Sequence, residues 1–402
     1  MKKNLFNTLY ILVGLLFVSH YFNYSDWSST RGPLLIQFYT AFTLVYVLFK
    51  FIYLSHRKRP NDKIVLWLIV SCTLTLITCF TTNRSMFQSQ RDFLLILSML
   101  PTYFFLKARR VSKQEIIYAS TIFIIVTFLI QVYQQLNFTH PLFGYVDMNE
   151  YGESIFRADD QRNNLFRFNI GISVLGEFCL CYYWNKVIDK YSFKKLILFA
   201  ISAISVYLYL TRQLMVASLV TVLFSFIFIK DKKMRRWGFV GVLVFAAILL
   251  INYDLIFKDL VELSSTETYS TDIRKVAYSF IFSQVFNDPF LWLVGHGHTL
   301  EEIGWTNKGL YCSDIGFVGQ MYLQGVLWVI IYFYTLYKFL WRQRRKLPLY
   351  LKLYFFCTMI HSPMIFPYSN LPQTFVWMIA LYLCTLEEDK RKLVNSKNEY
   401  AN

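Results

Sequence analysis

Apolar runs recur along the whole chain, and their length limits the folds open to it. We place them at about 4–19, 34–54, 64–80, 93–106, 116–136, 168–184, 196–210, 213–229, 238–253, 316–338, 353–366 and 374–386. Each approaches the ~20 residues with which an α-helix crosses ~30 Å of hydrocarbon. In lipid every backbone N–H and C=O must be paired within the protein, so runs of this kind are expected to be helices. The expected fold class is therefore all-α: one polytopic transmembrane domain over 1–402 with about twelve spans, both termini on the same side. The stretch 196–230 is apolar throughout except for Thr211-Arg212. As one helix it would overshoot the bilayer, so we expect two helices with a tight turn at Thr211-Arg212.

Charge orients the spans. Alternate loops are basic: Arg57-Lys58-Arg59, Lys107 to Arg110, Lys232 to Arg236 and Arg342 to Lys346. The positive-inside rule makes these cytoplasmic. With the termini they hold about 30 of the 41 lysines and arginines. The remainder on the other side is mostly arginine: Arg31, Arg84, Arg91, Arg157, Arg162, Arg167, Arg212 and Arg274. Arginine's planar fork suits bidentate recognition of phosphate or carboxylate.

The composition, 55% hydrophobic and 19% aromatic, excludes an ordinary soluble domain. The +16 net charge is then mostly topological, and no nucleic-acid-binding motif accompanies it. Six of the seven cysteines fall in apolar spans and only Cys312 in an outer loop, so neither a disulfide framework nor a zinc site is expected. The N-terminus, Met1-Lys-Lys followed by Leu5 to Val18, resembles a signal peptide but lacks a small-residue cleavage site, and is read as an uncleaved first helix.

Two outer loops stand out by length, about 137–167 and 252–315. The second contains an expected helix from Ile273 to Phe286, with Ile273, Val276, Ala277, Phe280 and Ile281 on one apolar face and Asn287-Asp288-Pro289 ending it. The candidate site residues lie in and beside these loops. Arg212, at the turn between two spans, either serves a ligand or reaches up to lipid phosphates. Arg274, near a helix start, either binds an anion or pairs with Asp272 or Glu267. Arg157, Arg162 and Arg167 recur every five residues, with Asp159 and Asp160 as rival ion-pair partners. In Gly295-His-Gly-His298, the glycines permit close backbone approach, and His296 and His298 are candidate bases or hydrogen-bonding loop residues. No third ligand has the spacing for a metal, so neither a metal nor a cofactor is expected. Asp314, opening the tenth span, is a helix cap or a general base. Glu177, inside the sixth span, is either functional or a protonated, hydrogen-bonded group.

Three features occur in order: Thr211-Arg212 heading an apolar helix; a long outer loop with Arg274, Asp288-Pro289 and Gly295-His-Gly; and a helix opening with Asp314 and reaching Gly325. Together they resemble the O-antigen polymerase and O-antigen ligase superfamily, membrane glycosyltransferases of the bacterial cell envelope. The resemblance covers about 200–330, and the segment from Arg162 to Gly171 is similar to the arginine-bearing loop of the polymerases. The N-terminal third matches only in its pattern of spans. Where the ligases typically carry a histidine this chain has Asp314, which favours the polymerase branch.

The resemblance implies a polymerase of surface polysaccharide repeat units, O-antigen-like or capsular, at the outer face of the inner membrane. Its substrate would be an undecaprenyl-diphosphate-linked oligosaccharide. Its surroundings would be membrane lipids, a chain-length regulator and a flippase, with no nucleic acid. Nucleotide sugars are absent outside the membrane, so the donor must bring its own leaving group, and a lipid diphosphate does. Arg212 and Arg274 would stabilise the departing diphosphate, helped by Arg157, Arg162 or Arg167. Asp314, or else His298 or His296, would take the proton of the attacking hydroxyl. One displacement inverts the anomeric centre and needs no metal. The alternatives are a ligase-type transferase and a flippase of lipid-linked oligosaccharide. A flippase should carry its cations in mid-span and show two-fold repeats.

Overall fold

A computed structural model describes residues 4–19, 26–56, 59–81, 91–139, 143, short pieces between 147 and 168, 173–229, isolated positions between 232 and 247, 268–285, 288–297, 312–367 and 370–399. The protein is mostly helical. In chain order the helices are α1 (Leu5–Val18), α2 (Asp26–Phe49), α3 (Phe51–His56), α4 (Pro60–Thr81), α5 (Arg91–Met99), α6 (Thr102–Ala108), α7 (Lys113–Leu136) and α8 (Ser173–Asp189). They continue as α9 (Phe193–Leu208), α10 (Arg212–Leu223), α11 (Thr268–Val285), α12 (Pro289–Val294), α13 (Gly316–Gln324), α14 (Val326–Leu336), α15 (Leu349–His361) and α16 (Leu371–Glu399). Two of them, α4 and α7, are long and apolar enough to cross a membrane; the apolar parts of α1, α2, α5–α6 and α10 are shorter.

Local chemistry sets the helix ends. Pro60 opens α4, where its missing N–H costs nothing. Pro101 interrupts the expected span 93–106, splitting it into α5 and α6. A capping box starts α7: the Ser112 hydroxyl accepts from Glu115 N–H, and the Glu115 carboxylate accepts from Ser112 N–H. The same carboxylate accepts from Asn4 N–H and the Asn7 amide, tying α1 to α7.

The core is built around α16. From Phe375 to Leu383 every side chain is buried, and α16 packs against α1, α4, α5, α6, α7 and α8. A helix buried all round is one that neighbours surround. By contrast, α2 and α7 turn large apolar side chains outward, among them Phe38, Leu48, Leu129 and Leu136.

Side-chain bonds fix how the helices run past one another. At one end Lys107 pairs with Asp62 at 2.5 Å, Arg59 with Asp389 at 2.6 Å and Lys113 with Glu387 at 3.3 Å. Lys338 donates to Asn61, and Gln343 donates to Glu388 at 2.8 Å. This basic end gathers the starts of α4 and α7 and the ends of α6, α14 and α16. Gln134, Gln135, Thr75 and Gly325 mark the far end.

Several expectations are corrected. The helix expected over 273–286 begins five residues earlier, at Thr268. On its proposed apolar face Ala277 and Ile281 are buried and Phe280 packs with them, but Val276 is 45% exposed and Tyr278 packs in its place. The tenth span is two helices, α13 and α14, broken at Gly325 with φ +89°. Cys312, in the second outer loop by the sequence reading, is buried against α11. In the loop 137–167 the chain forms two antiparallel two-residue ladders, Asp147–Met148 with Ser154–Ile155 and Gln161–Arg162 with Leu165–Phe166. The span 238–253 lies almost wholly outside the described residues.

Candidate functional site

Thr211-Arg212 does divide 196–230 into two helices. The turn Tyr209–Thr211 carries Leu210 at φ +53°, and Arg212 is the first residue of α10. One face of α10, Leu214, Ala217, Ser218 and Thr221, is buried together with Ser225 of the 3₁₀ turn Phe224–Phe228 that follows, and α10 packs against α8 and α15. Its level is fixed by Lys352 donating to Phe228 O and by Ser218 Oγ lying 4.0 Å from Cys357 Sγ. Counting on from these contacts, the start of α10 lies level with the end of α15. The bonds Trp184 to Ser225 (2.9 Å) and Tyr350 N–H to Asn185 (3.0 Å) set α8 parallel to α10. The starts of α8 and α10 and the end of α15 therefore meet at the far end.

The turn after α15 carries the start of α13. Phe317 N–H donates to Ser362 O at 3.1 Å. Gly316 has φ +53°, and a Cβ there would stand 2.3 Å from the Pro363 carbonyl, so only glycine fits. Asp314 lies two residues before, in the 3₁₀ turn Cys312–Ile315. The helix α11 packs against that turn and against α13, with Ala277 and Ile281 beside Cys312 and Ile315. Arg274, half-buried, stands one turn before this contact on the same side of α11. Thus the backbone positions of Arg212 and Asp314, and Arg274 itself, belong to elements that converge at one end of the bundle.

The first loop is pinned nearby. The Gln134 amide both donates to and accepts from the Phe143 backbone, and Gln135 does the same with Phe166, all within 3.0 Å. Each glutamine pairs as a strand residue would. Phe166 also stacks on Phe138 at 4.3 Å. Phe166 belongs to the ladder partner of Gln161–Arg162, so Arg162 is held beside the end of α7. Arg157, Arg167 and His298 lie outside the described residues, as do the side chains of Arg162, Arg212, Asp314, Asp272 and Glu267.

Asp288-Pro289 and Gly295-His-Gly have local duties. Asp288 caps α12 by accepting from Phe290 and Leu291 N–H groups, with Pro289 as the first helical residue. His296 and Gly297 N–H groups donate to Tyr322 O and Leu323 O, carbonyls left over where α13 ends. The close approach permitted by Gly295 is to backbone: its Cβ would meet Leu323 O and Gln324, and a Cβ on Gly325 would meet Leu293 O and Val294. Thr75 of α4 closes the crossing, its hydroxyl 2.5 Å from Val294 O and 3.3 Å from Gln324 O. The His296 ring is buried, stacked on Tyr322 at 4.4 Å with Nδ1 3.2 Å from Tyr322 O. Among the described residues, no three His, Cys, Asp or Glu side chains gather as metal ligands would.

Sequence reasoning missed His361. Its Nε2 lies 3.4 Å from Glu177 Oε2, both side chains fully enclosed between α8 and α15. Its Nδ1 is 2.8 Å from Ile365 O, and a carbonyl only accepts, so Nδ1 carries a proton. Burial of the imidazole and the carboxyl facing each other favours a pair that is neutral overall. The ring clasps the turn 361–365 on which Gly316 and Phe317 rest. A lone histidine in an apolar span carries no sequence signal of its partner.

Compared with known protein families and with curated proteins, the chain matches none.

Proposed function

We propose that this chain is a polytopic membrane glycosyltransferase of the bacterial inner membrane, with both termini cytoplasmic and about twelve spans. Its reaction is the polymerisation of lipid-diphosphate-linked surface polysaccharide repeat units at the outer face. The membrane part is supported by α4 and α7, by the outward apolar faces of α2 and α7, and by the gathering of cations at one end. The catalytic part is supported by α15: its end lies level with the start of α10, which Arg212 opens, and the turn after it carries the start of α13, beside Asp314 and against α11 with Arg274.

In the proposed reaction a sugar hydroxyl of one lipid-linked repeat attacks the anomeric carbon of another. The bond from that carbon to the diphosphate oxygen breaks, and the anomeric centre inverts. Asp314 takes the hydroxyl proton, and Arg212 and Arg274 hold the departing diphosphate. The half-buried setting of Arg274 suits that task, because a guanidinium shielded from water acts on an anion through a lower dielectric. His298 remains the second candidate base. His296 is committed to Tyr322 and the end of α13 and is better read as a structural residue.

Arg212→Lys and Arg274→Lys test the reading, because Lys keeps the charge and loses the fork. Each is expected to shorten or abolish surface polymer, with a rate loss of about 10²–10³. Arg31→Lys is the control. Near-normal polymer from both variants at matched expression would remove the site. Sizing the glycan of a deletion strain separates the rivals. Single capped repeats mean a polymerase, polymer not joined to its core means a ligase, and repeats accumulated on the inner side mean a flippase.

A further inference from the structure

At the basic end a groove of about 900 Å³ opens between α7, α8 and α16. Lys113, Lys186 and Lys390 line it, with Tyr118, Thr121 and Tyr182. Two of these lysines are held on aromatic rings. Lys113 Nζ lies 4.4 Å from the Tyr350 ring centre and Lys186 Nζ 5.7 Å from that of Tyr182, and the two tyrosines meet edge to face. Glu387 lies 3.3 Å from Lys113 and 3.6 Å from Lys390, and Asp189 stands one turn beyond Lys186 on α8. Three ammonium groups against these two carboxylates leave the groove net positive.

Tyr118 belongs to the groove and also begins an apolar ridge along α7, in which Tyr118, Val126, Leu129 and Tyr133 are exposed and Ile122 is partly exposed. The spacing of four, four, three and four residues keeps them on one face. At 1.5 Å per residue the ridge runs about 22 Å, longer than the ~15 Å of one leaflet's hydrocarbon.

We propose that this groove is a binding site for one anionic diacyl phospholipid. Its phosphate lies among Lys113, Lys186 and Lys390, and an acyl chain lies along the α7 ridge. A basic cavity continuous with an apolar track fits a headgroup joined to a tail, whereas a free anion would use only the cavity. The proposal rests on the membrane reading and not on the glycosyltransferase reading.

The test uses the purified full-length chain in detergent, titrated with phosphatidylglycerol or phosphatidylcholine of the same acyl composition, with bound lipid counted by native mass spectrometry. Phosphatidylglycerol is expected to bind at least about ten-fold more tightly. Lys113→Gln and Lys186→Gln should each weaken it about five-fold. Glu387→Gln should tighten it by a similar factor, because it frees two lysines from their competing carboxylate. Inorganic phosphate at millimolar concentration should not displace the lipid. Lys113 adjoins the α7 cap, so if Lys113→Gln does not fold, Lys186→Gln and Glu387→Gln carry the test. Equal binding of the two lipids, displacement by phosphate, or unchanged affinity in both remaining variants would overturn the site. Topology reporters at Arg110, Arg236 and Arg345 reading cytoplasm, with those near Asp147 and Glu267 reading the outer side, would show that such a failure leaves the membrane reading intact.

Discussion

Gly325→Ala should be among the more damaging single-methyl additions this protein can receive. Gly325 sits at φ +89° and ψ 163°, a region essentially reserved for glycine, where other residues store about 1–3 kcal/mol. The added Cβ would stand 2.5 Å from Leu293 O and Val294 C and 2.6 Å from Gly295 N. These are backbone atoms held by Thr75 and by the Tyr322 and Leu323 carbonyls, so they cannot swing aside as a side-chain end would. Overpacking of this kind costs a further 1–3 kcal/mol or so, and about 4 kcal/mol in all is expected. Gly176→Ala is the matched control. Its Cβ would meet the Val206 Cγ2 methyl at 2.9 Å, its φ is not positive, and helix propensity favours Ala by up to about 1 kcal/mol. All seven cysteines are buried thiols, so a thiol-reactive dye reports unfolding on heating. At an unfolding entropy near 2.1 cal/mol/K per residue, 4 kcal/mol lowers the midpoint by about 5 °C, and by more if helices persist in the unfolded state. A midpoint for Gly325→Ala within about 1 °C of that for Gly176→Ala would refute the view that this crossing is rigid.

Glu177→Gln should leave unfolding near the wild-type midpoint, since the amide can donate to His361 Nε2 and preserve the proton on Nδ1. Glu177→Leu should cost about 1–3 kcal/mol by leaving the buried imidazole Nε2 unpaired, and equal midpoints for the two variants would show that the pair has no such role. Thr75→Val should destabilise by about 1–3 kcal/mol in the same thiol assay, because the buried Val294 carbonyl loses its hydroxyl donor; an unchanged midpoint would count against the crossing. Asp288→Ala should cost about 1 kcal/mol through loss of the α12 cap and Asp288→Asn a few tenths; an equal loss in both would point to the charge instead.

Local physics was legible in the sequence wherever neighbouring residues alone settle the backbone. The helical class followed from apolar runs, the break at Thr211-Arg212 from a run too long for one helix, and the start of α12 from Asp288-Pro289. A one-dimensional pattern does not state which faces meet. The packed stripe of α11 shifted from Val276 to Tyr278 because Cys312, Ile315 and Tyr322 lie on that side. Glycines 295 and 325, expected to admit a ligand and to close a motif, are needed because two backbones cross there. Glu177 was visible as an intramembrane carboxylate, but its partner His361 stands far along the chain, and only the packing of α8 on α15 joins them. Gln134 and Gln135 fall at the end of the span expected over 116–136, and nothing local states that Phe143 and Phe166 pair with them. Sequence fixes what each segment must satisfy, namely its backbone hydrogen bonds and its apolar face. The tertiary structure alone decides which distant group satisfies it, because burial leaves each polar atom only the partners that packing brings within hydrogen-bond reach.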